Sequence, residues 1–305
     1  MTPETTGSAM EEDNEIAGLP RGAALALPGE ARPIEVMAPD GVPIAAQSWG
    51  DPSKPAIVFV HGFGQCHLSF LKQVRGALAR SFHLVTFDLR GHGASGKPLG
   101  ERHYARATIW ADDIAAVLDA ARVETALFVG WSLGGRIAID YLATHGTSRL
   151  AGLNLVGSSI SDRPGLRGLG SARLRPLMMD ADLSRNIAGT REFLRRCFFT
   201  PPDELTFQEM LAFNMLVPPE VRRMVLARPA QDEAVLRSAR MPVLVTFGEK
   251  DALASVEGAR YAASVFPKGR LSLYPDTGHS PFFEAAERFD RELSAFAQAC
   301  FGKRE

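Results

Sequence analysis

An apolar run passes directly into the pattern Gly-x-Ser-x-Gly in the segment Leu127-Phe128-Val129-Gly130-Trp131-Ser132-Leu133-Gly134-Gly135. A segment with helical spacing, residues 136–142, follows at once. This order of strand, sharp turn and helix is what a nucleophile elbow requires, because the turn lifts a serine hydroxyl clear of the sheet. Gly130 and Gly134 have no side chains, so strand and helix can approach closely. The pattern predicts that Ser132 is a nucleophile, and a glycine-rich turn with a surface serine is the alternative.

The bulk composition indicates one large folded protein with no need of disulfides or metals. A chain of 305 residues with a hydrophobic fraction of 46% can bury a core and a deep cleft. The net charge of −1 produces no general field that would favour nucleic acid. Cys66, Cys197 and Cys300 are far apart and form no CxxC pair, which predicts reduced thiols and no zinc site.

The same chain lacks the sequence signals of membrane or secreted proteins. No apolar run approaches the roughly 20 residues that cross a bilayer, so no membrane span is predicted. Residues 11–15 are mostly acidic, whereas a signal peptide begins with a basic region. We therefore expect a cytoplasmic protein whose residues 1–30, polar and rich in Gly, Pro and Glu, form a flexible N-terminal extension.

Strands and helices alternate along most of the chain. The strands form a hairpin over residues 34–49 and are then expected at 56–60, 83–87, 126–129, 150–156, 243–247 and 270–274. Helices are expected at 68–80, 108–121, 256–266 and 282–299. Such alternation predicts an α/β protein with a mostly parallel twisted sheet and helices on both faces.

One interruption divides this pattern. Residues 160–238 contain helical fragments punctuated by Pro and Gly. They predict an inserted helical lid over the carboxyl ends of the strands, where α/β sheets bind ligands. The core domain would then comprise residues 31–159 and 239–305.

A serine nucleophile requires a base, and the elbow predicts the chain order Ser, acid, His. Only His145 and His279 follow Ser132. His145 ends the helix after the elbow, where it suits the helix dipole. His279 lies in a loop between the last strand and the last helix, so it is the predicted base.

The predicted acid is Asp251, which lies four residues beyond the strand 243–247. A loop at that position can reach His279. Glu249 beside it and Asp162, which follows the strand 150–156, remain competitors. Asp251 could alternatively cap the helix that follows it.

Backbone N–H groups are expected to stabilise the oxyanion of a tetrahedral intermediate. Leu133, the residue after the nucleophile, should supply one, and Phe63 in the loop after the strand 56–60 should supply the other. His61 is expected to hold its own loop. The segment 88–93 is interpreted as a structural turn with surface ion pairing, and its His92 precedes the nucleophile, which disfavours it as the base.

Five motifs occur in the order found in one large family: His61-Gly62-Phe63-Gly64, Asp88 to Ser95 (DLRGHGAS), Gly130 to Gly135 (GWSLGG), Gly248-Glu249-Lys250-Asp251 and Gly278-His279. From residue 34 to 299 the chain resembles the α/β-hydrolase superfamily. It is most similar to the serine esterases that include non-haem haloperoxidase-like proteins and the pimeloyl carrier-protein methyl ester esterases. The resemblance implies Ser132, Asp251 and His279 as the catalytic triad. It counts against haloalkane dehalogenases and epoxide hydrolases, which have an aspartate at the elbow.

The lid sequence bears on the substrate. Its bulky apolar residues would suit an apolar acyl or aryl group, although most could simply pack the lid. Residues 161–200 hold eight Arg and four acidic residues, which could attract an anionic substrate or an acidic carrier protein. A solvated helix face with paired charges is the plainer explanation.

The predicted function is a serine hydrolase that cleaves a carboxylic ester with an apolar acyl or aryl group through an acyl-enzyme, without cofactor or metal. The same triad could open lactones, cleave carbon–carbon bonds or use peroxide as in haloperoxidase-type enzymes. A non-catalytic small-ligand receptor is the alternative from a different class.

Overall fold

The structure is a computed structural model that describes residues 31–168 and 170–302. The predicted flexible extension, residues 1–30, lies outside the described residues. Eight strands form one sheet in the order β1-β2-β4-β3-β5-β6-β7-β8. The strands are β1 Arg32–Met37, β2 Pro43–Trp49, β3 Ala56–Val60, β4 His83–Phe87, β5 Ala126–Trp131, β6 Leu150–Val156, β7 Val243–Gly248 and β8 Gly269–Tyr274.

The predicted α/β class and mostly parallel sheet are confirmed. β1 pairs antiparallel with β2, as the expected hairpin requires, and β2 also pairs antiparallel with β4. From β4 to β8 every neighbouring pair is parallel. Parallel strands have their carboxyl ends at one edge, so the loops after β3, β5, β7 and β8 all open on the same side.

Helices cover both faces of this sheet. They are α1 Leu71–Val74, α2 Leu78–Ser81, α3 Ala107–Ala120, α4 Leu133–His145, α5 Arg175–Met178, α6 Leu183–Arg196, α7 Glu204–Met215, α8 Pro219–Leu226, α9 Glu233–Ser238, α10 Val256–Val265, α11 Pro281–Glu284 and α12 Ala286–Phe301. Short 3-10 turns cover His67–Phe70 and Glu101–His103. None of the helices in this described part is long and apolar enough to cross a membrane.

The buried strands explain why helices are needed on two sides. All residues of β3 and β5 are buried, and successive side chains point to opposite faces. Val58 and Phe128 join the core cluster that includes α3, α4 and α10. Ile57 and Val129 join the second cluster, which includes α12. Both faces of such a continuous apolar strand are therefore buried in hydrophobic core.

Two predicted helices are broken in the structure. The segment predicted as one helix over 68–80 consists of a 3-10 turn, α1 and α2, with Gly76 between α1 and α2. A side chain at Gly76 would crowd the Lys72 carbonyl oxygen, 2.7 Å from its Cβ, and the Asp290 carboxylate of α12. The last helix is interrupted at Ala285, whose φ of −126° and ψ of 46° are not helical. The spacing of apolar residues, from which the two helices are predicted, carries no information on such packing constraints.

Helices α5 to α9 lie between β6 and β7, within residues 160–238, which we call the helical insertion. Asp182 and Asp203 cap α6 and α7 by accepting backbone N–H groups. Most of the bulky apolar residues of the insertion are buried within it and against the core, among them Leu174, Phe207, Met210 and Phe213. This packing places the insertion against the sheet edge where the strand carboxyl ends meet.

Candidate active site

Ser132 occupies the sharp turn between β5 and α4. Its φ of 54° and ψ of −114° lie in a region that only glycine normally adopts, so the turn is strained as an elbow requires. Gly134 lies directly against the Val60 carbonyl oxygen, where any Cβ would collide. A Cβ at Gly130 would lie 2.5 Å from the Gly135 Cα. Both glycines therefore allow the strand and helix to approach.

His279 lies in the loop between β8 and α11, at the same edge of the sheet. Its Nδ1 is 2.7 Å from Oδ2 of Asp251, and the two side chains are 4% and 0% exposed. The other oxygen of Asp251, Oδ1, accepts the N–H groups of Leu253 and Ala254 at 2.7 and 2.9 Å. A carboxylate held in this way only accepts, so Nδ1 donates and Nε2 is left to act as a base.

Gly157 permits the close approach of this histidine to β6. It follows the strand directly and has a φ of 56°. A Cβ at Gly157 would lie 3.0 Å from Nδ1 of His279, at the atom that contacts Asp251. A larger residue would displace the imidazole.

Ser132 and His279 line one cleft of about 110 Å³, together with Phe63 and Leu133. Leu133 is the first residue of α4, so its N–H lacks an acceptor within the helix. No acceptor for the N–H of Leu133 or Phe63 is present among residues 31–168 and 170–302. Two unpaired donors beside the serine form an arrangement that can receive an oxyanion.

The competing acids take other partners. Asp162 accepts both terminal nitrogens of Arg136 at 3.2 Å and the Ala230 N–H at 2.7 Å. These bonds tie the insertion to α4. Glu249 is exposed, and its backbone N–H pairs with the Tyr274 carbonyl.

The other histidines have structural contacts. His145 ends α4 and lies 3.0 Å from Asp112. Nε2 of His61 accepts the Leu89 N–H at 2.9 Å, which leaves its Nδ1 to donate to the Gly62 carbonyl at 2.8 Å. His92 is fully buried, with Nδ1 3.0 Å from the Arg90 carbonyl.

The predicted surface ion pairing of residues 88–93 is wrong. The Arg90 side chain is 1% exposed and binds both carboxylate oxygens of Asp113, at 2.7 and 2.6 Å, as well as Asp40. Asp88 is also buried and accepts the N–H groups of His67 and Ala94. The sequence alone suggests that such a charged motif is exposed, because the residues that pair with it when it is buried lie far away in the chain.

Within residues 31–168 and 170–302, one group of side chains has ligand atoms close enough for a metal ion. Cys66, His67 and Asp88 place one such atom each within 4.8 Å of the others. Both Asp88 oxygens already accept backbone N–H groups, and burial raises the pKa of the Cys66 thiol well above its ordinary value. These contacts suit a hydrogen-bonded turn better than a metal site.

The structure lines the cleft with polar residues that the sequence did not single out, apart from Arg167 and Arg175, which are two of the eight arginines of residues 161–200. Ser159 and four arginines line it: Arg136, Arg167, Arg175 and Arg228. Arg136 could have been found, because it lies one helical turn after Ser132. Of the apolar residues of the insertion, Met178, Phe193, Val225 and Leu226 line the cleft, and Phe199 is 50% exposed.

Comparisons with known proteins agree with this fold. The model of the alpha/beta hydrolase fold matches residues 55–286. A putative aryl esterase from Burkholderia cenocepacia is 37% identical with a TM-score of 0.86, over 89% of this chain and 100% of that one. An esterase from Rhodococcus is 32% identical with a TM-score of 0.82, over 89% and 99%.

A curated relative belongs to the group that the motifs resemble. The pimeloyl-[acyl-carrier protein] methyl ester esterase of Vibrio cholerae is 27% identical over 79% of this chain and 93% of its own. The family match and these relatives together support a hydrolase of the esterase type. The chain belongs to the α/β-hydrolase fold family.

Proposed function

We propose that the protein is a serine esterase that hydrolyses small carboxylic esters through an acyl-enzyme. The observation that carries this proposal is the 2.7 Å contact between His279 Nδ1 and Asp251 Oδ2, in a histidine that shares its cleft with the strained Ser132. An oriented imidazole next to an elbow serine is the arrangement that activates a hydroxyl.

In the proposed reaction each of these groups has a defined role. His279 removes the proton of Ser132 as the hydroxyl attacks the ester carbonyl, and Asp251 stabilises the imidazolium that forms. The N–H groups of Phe63 and Leu133 receive the oxyanion. His279 then protonates the departing alcohol. Water, activated by the same histidine, releases the acid from Ser132.

The size and lining of the cleft favour a small substrate. Its volume of about 110 Å³ is below the ~150 Å³ of an apolar cavity that holds benzene. Apolar side chains line part of it, namely Phe63, Leu133, Met178, Phe193, Val225, Leu226, Leu253 and Ala254. A short acyl chain fits this description.

The first test is covalent labelling with a fluorophosphonate, read by intact-protein mass. We expect one adduct on the wild-type protein and none on Ser132→Ala. We also expect Ser132→Ala to retain its fold and lose turnover of p-nitrophenyl acetate and butyrate by a factor of about 10⁴ or more. Labelling at another residue, or full activity in the variant, would refute the mechanism.

A second variant tests the role of the carboxylate separately. Asp251→Asn should lower kcat by roughly 10³- to 10⁴-fold, because the amide no longer holds the imidazole in the required tautomer. Asp162→Asn is the matched control, since Asp162 binds Arg136 rather than His279. Equal losses of kcat in both variants would refute the proposal that Asp251 is the carboxylate that orients His279.

A further inference from the structure

The lining of the cleft carries an excess of positive charge. Four guanidinium groups line the space that also contains Ser132: those of Arg136, Arg167, Arg175 and Arg228. The carboxylates that pair with them are those of Asp140 and Asp162. We call these four arginines the arginine wall.

One carboxylate serves two members of the wall. Asp162 binds Arg136 through both oxygens at 3.2 Å and lies 3.4 Å from Arg167. It also accepts the Ala230 N–H at 2.7 Å, so its lone pairs are largely used. A single negative charge cannot neutralise both guanidinium groups.

Arg228 is fixed by a different pair. Its guanidinium binds the buried Asp140 and lies over the Trp110 ring, 4.8 Å from the centroid. Asp140 accepts a further hydrogen bond from Gln231 at 2.7 Å. This pair is nearly neutral, although Nε of Arg228 is buried without an acceptor among the described residues.

Arg175 is the member without a carboxylate. No acidic oxygen lies within ion-pair distance of it in the part of the chain that the structure describes, and its Nε is buried without an acceptor. Burial and the neighbouring charges of Arg167 and Arg136 lower its pKa. The Ser159 hydroxyl, which also lines the cleft, is buried and unpaired as well.

These groups have an energetic cost that a bound anion would relieve. A buried donor without an acceptor is destabilising, and hydrogen bonds to charged groups are among the stronger ones. A carboxylate offers two oxygens to the planar fork of a guanidinium. A short molecule can place such a group in a cleft of about 110 Å³.

We propose that the arginine wall binds a carboxylate carried by the substrate itself, so that the preferred substrates are short esters with one free carboxylate. This inference rests on the proposed esterase function and adds the substrate class. The carboxylate belongs to either the acyl or the alcohol part of the ester, and Arg175 is its principal partner.

Two pairs of nearly isosteric esters test this preference by pH-stat titration. Monomethyl succinate is compared with methyl 4-oxopentanoate for the acyl side, and acetoxyacetate with acetoxyacetone for the alcohol side. We expect kcat/KM to be at least tenfold higher for the anion of one pair or both, mainly through a lower KM. Added salt should reduce the difference. A preference for the neutral member in both pairs would overturn the proposal.

Arg175→Gln should bring the ratio of anionic to neutral kcat/KM close to one, and Arg175→Lys should retain part of it. Arg173→Gln is the matched control, because Arg173 is exposed two residues away and does not line the cleft. It should leave the ratio unchanged. An undiminished ratio in Arg175→Gln, with thermal unfolding confirming the fold, would also overturn the proposal. Should Arg175→Gln fail to fold, Arg167→Gln replaces it, with a lowered ratio expected.

A binding measurement separates this inference from the esterase proposal. Calorimetric titration of Ser132→Ala with monomethyl succinate and acetoxyacetate should show binding of at least one of them, and Arg175→Gln in that background should weaken it by tenfold or more. Binding without any hydrolysis by the wild type would refute the esterase function and leave the carboxylate site intact. Hydrolysis of neutral esters without binding of either carboxylate ester would refute the carboxylate site and leave the esterase function intact.

Discussion

The indole Nε1 of Trp131 donates a hydrogen bond of 2.9 Å to the carbonyl oxygen of His279. The residue before the proposed nucleophile thus holds the loop of the proposed base, across a sequence separation of 148 residues. The Trp131 ring also packs edge-on against Phe282 of α11, with the centroids 4.8 Å apart. The elbow and the histidine loop are therefore joined by one buried side chain.

Removing this link should slow the reaction. Trp131→Phe keeps an aromatic ring and loses the donor, so we expect kcat to fall roughly fivefold to tenfold, in line with a hydrogen bond of about 1 kcal/mol. KM should change less than twofold. Trp49→Phe is the matched control, because its Nε1 donates to the Thr86 hydroxyl at 3.0 Å, away from the cleft. Equal effects on kcat in the two variants would contradict a positioning role.

Glu284 of α11 connects the helical insertion to the same loop. Its Oε2 accepts the N–H groups of Phe199 and Thr200 at 2.8 Å, and its Oε1 accepts that of Gly278 at 2.9 Å. Every contact is a backbone donor, so both oxygens are required as acceptors.

Glu284→Gln places an amide NH₂ opposite at least one of these donors. We expect a kcat lowered by roughly tenfold and a reduced thermal midpoint, because Gly278 directly precedes His279 and a buried N–H loses its acceptor. Glu287→Gln on α12 is the control, as that side chain is 96% exposed. A drop in stability with no change in kcat would limit Glu284 to a structural role.

Arg222 of α8 holds the insertion together from its centre. The side chain is 1% exposed, and burial lowers its pKa to about 10, so it remains charged at neutral pH. It donates to acceptors on α5, α6 and α7: Met178 O at 2.8 Å, Asn186 Oδ1 at 3.0 Å, Thr190 Oγ1 at 2.8 Å and Asn214 O at 2.6 Å.

Arg222→Met should lower the free energy of unfolding by about 3 kcal/mol or more, because it leaves buried acceptors unpaired. The thermal midpoint should fall by roughly 6–12 °C for a domain of this size. Arg223→Met, at the exposed neighbouring position, should change it by less than about 2 °C. Similar midpoints for the two variants would show that the network contributes little.

Two buried histidines should make the fold sensitive to acid. Burial lowers the pKa of His61 to about 4 and that of His92 to about 3, from an ordinary value of 6.5. At pH values between the ordinary pKa of 6.5 and these lowered pKa values, the unfolded chain binds protons that the folded chain does not. Their contribution to stability is therefore complete above pH 6.5 and is lost as the pH falls towards 4 and 3.

His92→Asn removes one of these groups and keeps a side-chain donor near the Arg90 carbonyl. We expect the free energy of unfolding of the variant to fall less between pH 6.5 and 5.5, by roughly 1 kcal/mol, since each group contributes at most about 1.4 kcal/mol per pH unit. Denaturant titrations at the two pH values measure it. Parallel losses in both proteins would show that His92 is protonated in the folded state.

The strands and the elbow were determined by sequence neighbours alone. Continuous apolar runs, such as Ala56–Val60, predict strands buried on two faces, and the structure has them there. The pattern around Ser132 and the position of His279 after the last strand follow from local signals as well. These features could be predicted because the physical constraint, a period or a tight turn, involves residues close in the chain.

Only the tertiary structure decided the contacts between distant segments. It placed Asp251 rather than Asp162 against His279, buried Arg90 with Asp113, and broke the helix predicted over residues 68–80. It also gathered arginines from α4, α5 and two loops into one wall beside Ser132. The pairing and desolvation of charged side chains depend on which segments pack together. A single sequence shows which residues are charged but not which residues they pair with.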